Sequence, residues 1–238
     1  MTDASELLEK RGFVWFRGAL GAAELAGLSK HCDLGSRPGV RPEPVAELLQ
    51  QLSLGSTVGD LARHVLPSAR PVRSVAFNKT ESTNWSVPWH QDRVIAVAER
   101  HALDGYSNWV RKDTYWHVEP PETVLREMIF ARICFDHASA ENGTLQLAVG
   151  SHEFGTVSAS DAKSKAESCA LETCQSSPGD VLFIKALTLH RSSSAAKPSQ
   201  RRALRVDYAG ADLPSPLNWA FDRYQTAARG SIGLHPAV

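Results

Sequence analysis

Strand-length apolar runs separated by turn residues fill the chain from Pro71 onward: Val72 to Thr80, Val87 to Ala98, Met128 to Phe135, Thr144 to Val149, Ala170 to Thr173, Val181 to Leu189 and Arg202 to Tyr208. Runs of this length and spacing predict a β-sandwich or barrel. The first third has a different texture. Asp3 and Glu6 stand at capping-box spacing before Leu7 and Leu8, and Gly12 to Phe16 reads as a short buried strand. Ala22 to Lys30, Pro44 to Leu54 and Val58 to Leu66 then repeat an amphipathic helical pattern. Residues 1–70 are therefore predicted as a mostly helical scaffold and 71–210 as a β core. No repeat, low-complexity tract or Pro/Gly/Ser-rich linker interrupts the chain, so 1–238 is predicted as a single domain.

Two segments break the strand rhythm. His101 to Pro121 gathers Tyr106, Trp109, Tyr115, Trp116 and His117 in a connection that is long and unusually aromatic. It reads equally as an aromatic mini-core or as a substrate lid. Gly155 to Ser168 is polar and reads as a partly helical surface excursion.

Composition narrows the function classes. The 238 residues carry 26 Lys+Arg against 26 Asp+Glu, and this balance argues against a nucleic-acid or polybasic membrane partner. No stretch approaches the ~18 apolar residues of a membrane helix, and the start, MTDASELLEK, has no basic-then-apolar segment. A cytoplasmic protein acting on a small molecule is the expectation; oligomeric state is left open. Cys32, Cys134, Cys169 and Cys174 form no CxxC pair, so reduced thiols are expected, with Cys169 and Cys174 only a weak metal-binding signal. Neither Gly-x-Ser-x-Gly nor Gly-x4-Gly-Lys is present to start a hydrolase or phosphate-binding reading.

Nine histidines invite a metal site, and His-x-Asp triplets arise easily by chance among them. Two occur, His31-Cys32-Asp33 and His90-Gln91-Asp92, with His117-Val118-Glu119 a near match. On a helix, residues two apart point roughly 200° apart, so His31 and Asp33, at the end of Ala22 to Lys30, are poorly placed to grip one ion. On a strand, residues two apart share a face, and His90 and Asp92 fall within Val87 to Ala98. His190, ending the strong run from Gly179, is the natural third ligand; taken alone it reads as a satisfied core histidine. Two histidines and a carboxylate on one face of an ion make the facial triad of non-haem Fe(II) oxygen chemistry. Arg201, eleven residues after His190, offers a guanidinium fork to the far carboxylate of a dicarboxylate co-substrate, and Ser192 offers a hydroxyl. The bland alternative makes Arg201, Arg202 and Arg205 solvated charges on an edge strand.

Taken in order, Trp89-His90-Gln91-Asp92, DHASAENGTLQLAVGSH (136–152), GDVLFIKALTLHRSS and RRALRVDY resemble the phytanoyl-CoA dioxygenase family of Fe(II)/2-oxoglutarate oxygenases over about Pro71 to Tyr208. FNKTESTNWSVPWHQD is similar to a segment of bacterial members. The resemblance implies a mainly β fold with flanking helices, a double-stranded β-helix or cupin-like jelly roll. It implies Fe(II) on His90, Asp92 and His190, and 2-oxoglutarate held by Arg201 and Ser192, to which we add Lys79. It further implies a dioxygenase that consumes O2 and releases succinate and CO2. Because Asp92 is present where related halogenases carry a small residue, hydroxylation of an unactivated C–H is favoured over halogenation. Epimerisation, desaturation and cyclisation on the same iron stay open, as does a non-catalytic jelly-roll binding module. Asn78, Lys79, Trp109, Tyr115, Trp116 and His117 are the pocket candidates for a small metabolite or natural-product intermediate, with strand alternation sending Asn78 and Lys79 to opposite faces. Two departures concern local geometry: Val149 replaces the usual proline of the Pro-Gly-Ser-His turn, and Arg191 follows His190 where small residues are frequent.

Overall fold

The computed structural model describes residues 3–32, 35, 37–112, 114–197 and 200–224. Its first third holds the helices α1 (Ala4–Arg11), α2 (Ala22–Ser29), α3 (Ala46–Leu52) and α4 (Thr57–Val65), with the short strands β1 (Phe13–Phe16) and β2 (Gly39–Val40) between them. The capping box expected at Asp3 does not form, since the Asp3 side chain makes no cap hydrogen bond. Helix starts are secured elsewhere: Glu24 accepts from the Gly21 N–H at 2.9 Å, and Ser56 accepts from the Gly59 N–H at 3.1 Å.

The remaining strands are β3 (Arg70–Lys79), β4 (Val87–His90), β5 (Ile95–Val97), β6 (Ser107–Lys112), β7 (Tyr115–Glu119), β8 (Met128–Cys134), β9 (Leu145–Ala148), β10 (Leu171–Thr173), β11 (Val181–Lys185), β12 (His190–Ser192) and β13 (Arg201–Ala209). Two further helices, α5 (Glu122–Arg126) and α6 (Ala162–Glu167), lie among them. The main sheet runs β1-β11-β8-β13-β3-β2, a second sheet β10-β9-β12-β4, and a third β5-β7-β6. The first two face each other as the halves of a jelly roll, closed on an interior that includes Phe13, Phe130, Leu182 and Ile184 from one side and Leu147 from the other.

Period-two alternation gives the main sheet two unlike faces. Leu204, Val206 and Tyr208 of β13, with Ile129, Ala131 and Ile133 of β8, pack outward on Leu8, Leu28, Leu48 and Leu52 of the helices. Tyr208 adds a hydrogen bond from its hydroxyl to the Leu52 carbonyl at 2.8 Å. Burial on both faces is why β8 and β11 read as continuous apolar runs. Their inward positions, and the odd-numbered ones of β13 and β3, belong to the interior where the chemistry-bearing residues sit.

Three expectations need correction. Val87 to Ala98 is not one strand: it splits into β4 and β5, which join different sheets. Three residues in the gap are tied to different neighbours. Gln91 donates to the carbonyls of Gly155 and Leu187, Asp92 pairs with Arg205, and Arg93 pairs with Glu119. His101 to Pro121 is no open loop but contains the β6–β7 hairpin, whose Trp109 and Trp116 meet edge to face at 6.4 Å under Arg100. Val181 to Leu189 is likewise broken: β11 of the main sheet ends at Lys185, a turn follows, and His190 opens β12 of the second sheet. Gly155 to Ser168 is partly helical, as expected, and Ala162 and Ala166 of its α6 pack with Trp89 and Leu189. No helix among the described residues is long and apolar enough to cross a membrane.

Candidate active site

His90 ends β4 and His190 begins β12, and these strands pair so that the two residues are direct cross-strand partners with ring centroids 4.2 Å apart. Each imidazole Nδ1 lies 2.9 Å from a carbonyl oxygen two residues back, Pro88 for His90 and Thr188 for His190. A carbonyl only accepts, so Nδ1 carries a proton in both rings and Nε2 is the nitrogen each turns towards the triad. Asp92 Oδ2 approaches His190 Nε2 at 3.1 Å. One ligand atom from each of His90, Asp92 and His190 lies within 4.8 Å of the others, and this is the one such group of three among the described residues. The donor set, the backbone-fixed tautomers and the single-sided approach fit a divalent iron with open positions opposite.

Electrostatics suit the same reading. Burial, followed by His190, lowers the His90 pKa and so favours the neutral ring that a metal requires. Burial works against the Asp92 charge, but Arg205 and His190 outweigh it and hold its carboxyl well below the usual carboxylate range.

The triad opens into a cavity of about 180 Å³ between the two sheets. Its apolar wall is Phe77, Trp85, Val87, Phe130 and Leu145; its polar wall includes Lys79, Arg132, Ser192, Arg201 and Arg205. Arg201 and Lys79 are cross-strand partners, and Arg201 and Arg205 share one face of β13, ~13 Å apart along the strand at ~3.3 Å per residue. Ala203 stands between them and contributes no bulk beyond Cβ. Lys79 donates to the Ser193 carbonyl at 2.6 Å and, more weakly, to that of Gly143 at 3.4 Å. Gly143 is left-handed, and a Cβ there would meet the Ser193 carbonyl oxygen at 2.4 Å, so only glycine lets this turn close over Lys79.

Among the described residues, none of Lys79, Arg132 and Arg201 is paired with a carboxylate. Arg201 is 6% exposed and its Nε is buried without a partner. Burial and then Arg132 pull its pKa down to about 9, and burial with Arg201 and Arg132 brings Lys79 to about 8. Leaving buried ions uncompensated costs several kcal/mol each, so the cluster presents unbalanced positive charge to the cavity.

His90, Asp92, His190, Arg201, Ser192 and Lys79 thus converge on one cavity. The pocket candidates Asn78, Trp109, Tyr115 and His117 do not line it, nor does Trp116. Asn78 pairs with Arg202 on the opposite face of β3. Trp109 and Trp116 belong to the aromatic cluster of the third sheet, and Tyr115 packs on Leu49 and Phe221. His117 is 1% exposed, and burial together with Arg73 lowers its pKa to about 4. Their apolar bulk packs the third sheet against the body. Asp33 lies outside the described residues, so the first triplet has no structural counterpart here. Of the two departures, Arg191 points outward, 4.9 Å over the Trp89 ring and hydrogen-bonded to Gln146 at 2.8 Å. Ser151, in the variant turn, accepts from the Leu189 N–H at 2.8 Å and so fixes the residue before His190.

Two lining residues depart from expectation: Arg132 was not among the candidates, and Arg205, expected at most as a solvated charge on an edge strand, lies buried on β13 between β3 and β8. A lone arginine inside the apolar run MIFARIC was the available signal for the first. For the second it was the parity that Arg205 shares with Arg201.

The model of the phytanoyl-CoA dioxygenase family matches residues 8–203, most of the chain. The chain belongs to that family. Within the solved structures, this phytanoyl-CoA dioxygenase family member is similar to the non-haem α-ketoglutarate-dependent carbocyclase SnoK of nogalamycin biosynthesis, with a TM-score of 0.65 at 15% identity over 99% of this chain and 91% of that one. It is similar to the epimerase SnoN of the same biosynthesis, with a TM-score of 0.61 at 16% identity over 90% and 89% of the two chains. EctD from S. alaskensis gives 0.65 at 15% identity over 89% and 78%. These likenesses establish the jelly-roll fold. No curated protein gives a significant sequence match.

Proposed function

We propose that the protein is an Fe(II)- and 2-oxoglutarate-dependent dioxygenase that hydroxylates an unactivated C–H of a small metabolite or natural-product intermediate in the cytoplasm. One observation carries this reading: a facial triad and an uncompensated cation cluster share one cavity. His90, Asp92 and His190 would hold the iron. Arg201, with Ser192 and Lys79, would anchor the distal carboxylate of 2-oxoglutarate by charge-assisted hydrogen bonds. Iron with this co-substrate and O2 supplies an oxidant strong enough for C–H attack, at the cost of converting 2-oxoglutarate to succinate and CO2. The chain's own part is to orient the diacid between Arg201 and the triad, to hold each imidazole by its Nδ1–H, and to exclude water with Phe77, Trp85, Phe130 and Leu145.

The carboxylate ligand Asp92 favours hydroxylation over halogenation. A second reading, epimerisation or ring closure on the same site, draws support from the likeness to SnoN and SnoK. The family's name does not supply the substrate: a net charge of zero gives no steering toward a CoA thioester.

The test is anaerobic titration of the metal-free protein with Fe(II) and 2-oxoglutarate, following the weak visible charge-transfer band of the chelate. A band that the His190→Ala variant lacks supports the oxygenase. A folded protein without a band supports the binding-module alternative instead. Product analysis after substrate screening then separates hydroxylation from the redox-neutral and ring-forming outcomes.

A further inference from the structure

A row of alternating charges runs from the triad into the main sheet. Arg205 donates from NH1 to Asp92 Oδ2 at 2.5 Å and from Nε to Asp207 Oδ1 at 2.5 Å. Arg73 closes the row on Asp207 Oδ2 with NH2 at 2.5 Å and Nε at 2.6 Å. Arg205 and Asp207 lie on the inward face of β13, and Asp207 faces Arg73 across the β3 register. The Arg205 guanidinium lies 4.3 Å over the Phe130 ring. All four side chains are largely buried.

Stability does not account for such a row. Buried ion pairs roughly break even against apolar packing, because desolvation offsets the Coulombic gain. Its location is more informative. Asp92 is the one triad member outside a strand, in the gap between β4 and β5, with no ladder to fix its backbone. β13, by contrast, is paired on both sides, by β3 and β8. Both contacts to the Asp92 carboxylate, from Arg205 and from His190, fall on Oδ2.

We propose that Arg205, braced by Asp207 and Arg73, is the positioning residue for Asp92: it transfers the rigidity of the main sheet to the off-strand ligand by holding its Oδ2. This rests on the metal site proposed above.

The test uses the full-length, metal-free protein and Mn(II), a redox-silent probe whose free form is counted by electron paramagnetic resonance. Co(II) ligand-field absorption reports coordination. Losing an outer partner of a metal ligand typically weakens binding 10- to 100-fold. Arg205→Gln should raise the Mn(II) Kd by roughly that factor and alter the Co(II) spectrum. Arg205→Lys restores the charge but cannot bridge two carboxylates, and should recover only part of the affinity. Arg201→Ala, on the same strand face, should leave the Mn(II) Kd within about two-fold, since its loss removes no such partner. An unchanged Kd in Arg205→Gln overturns the proposal, and so does a lower one, which would make Arg205 a competitor of the metal. Should Arg205→Gln not fold, Arg205→Lys decides alone: parent-like affinity and spectrum overturn it. A parent that binds no Mn(II) sinks the metal site itself, a result distinct from parent binding that the Arg205 variants share.

Discussion

Arg201 and Arg205 stand four residues apart on one face of one strand, and their surroundings are opposite. Arg205 is saturated by two carboxylates, which outweigh its burial and raise its pKa. Arg201 faces Arg132 and Lys79, has a buried unpartnered Nε and is pushed the other way. The same residue type at the same depth thus does two jobs. Where the protein supplies the counter-charge, the arginine fixes geometry; where it withholds it, the arginine waits for a ligand. On the proposed function, this difference assigns the co-substrate's far end to Arg201 and the metal end to Arg205.

The sharpest way to break this contrast is to remove the group at its metal end. Asp92→Ala should weaken Mn(II) or Fe(II) binding by more than about 100-fold, beyond the range of an outer-partner loss, and abolish turnover with the fold intact by circular dichroism. His190→Ala should do the same. At the other end, Arg201→Ala should leave metal affinity alone and raise the 2-oxoglutarate Kd. A lost charge-assisted bidentate contact is worth about 1.5–3 kcal/mol, or roughly 10- to 150-fold, measurable by calorimetry on the Mn(II)-loaded protein. Equal loss of metal and co-substrate binding in that variant would erase the distinction between the two ends.

A pH series probes the cation cluster more gently. Lys79 titrates near 8 in the folded protein against an ordinary 10.5, so between these values the unfolded chain holds the proton that the folded chain has lost. The stability contributed by this group without co-substrate therefore rises as pH climbs from about 8 towards 10.5. Binding of the diacid runs the other way, because it favours the charged amine. Its affinity should fall several-fold as pH passes about 8, and Lys79→Gln should flatten that dependence. The smallest effect belongs to Arg191→Ala. Although adjacent to a triad histidine, Arg191 lies on the outer face over Trp89, and its loss should shift the melting temperature by a few degrees at most and the co-substrate Kd by less than about two-fold.

Much of this was legible along the chain because strands encode their faces with period two. Alternation placed Asn78 and Lys79 on opposite faces, and the same parity separates Phe77, Lys79, Arg201 and Arg205 on the cavity from Ala76, Leu204 and Val206 on the helix-packing face. The pair His90 and Asp92 was legible because the two are close in sequence; His190 was expected to end the run from Gly179, but that run breaks at Lys185 and His190 opens β12 of the second sheet. The aromatic segment from Tyr106 to His117 misled because composition says that its rings will be buried but not against what. They pack the third sheet, and the cavity is lined instead by Phe77, Trp85 and Phe130.

The sequence by itself determined the antiparallel β core with its helical layer, and it singled out His90, Asp92, His190 and Arg201, which the fold brings to one cavity. Each of these rests on periodicity or short spacing, which local sterics translate directly into side-chain direction. Only the tertiary structure decided that Val87 to Ala98 divides between two sheets, that Arg132 and Lys79 stand beside Arg201, and that Arg205 is bound to Asp92. Those contacts join residues distant in the chain, from Lys79 to Ser193 and from Asp92 to Arg205. Whether a buried charge meets an opposite charge, a like charge or an empty cavity depends on which strands the sheet order makes neighbours, and that order is set by the packing of the whole chain.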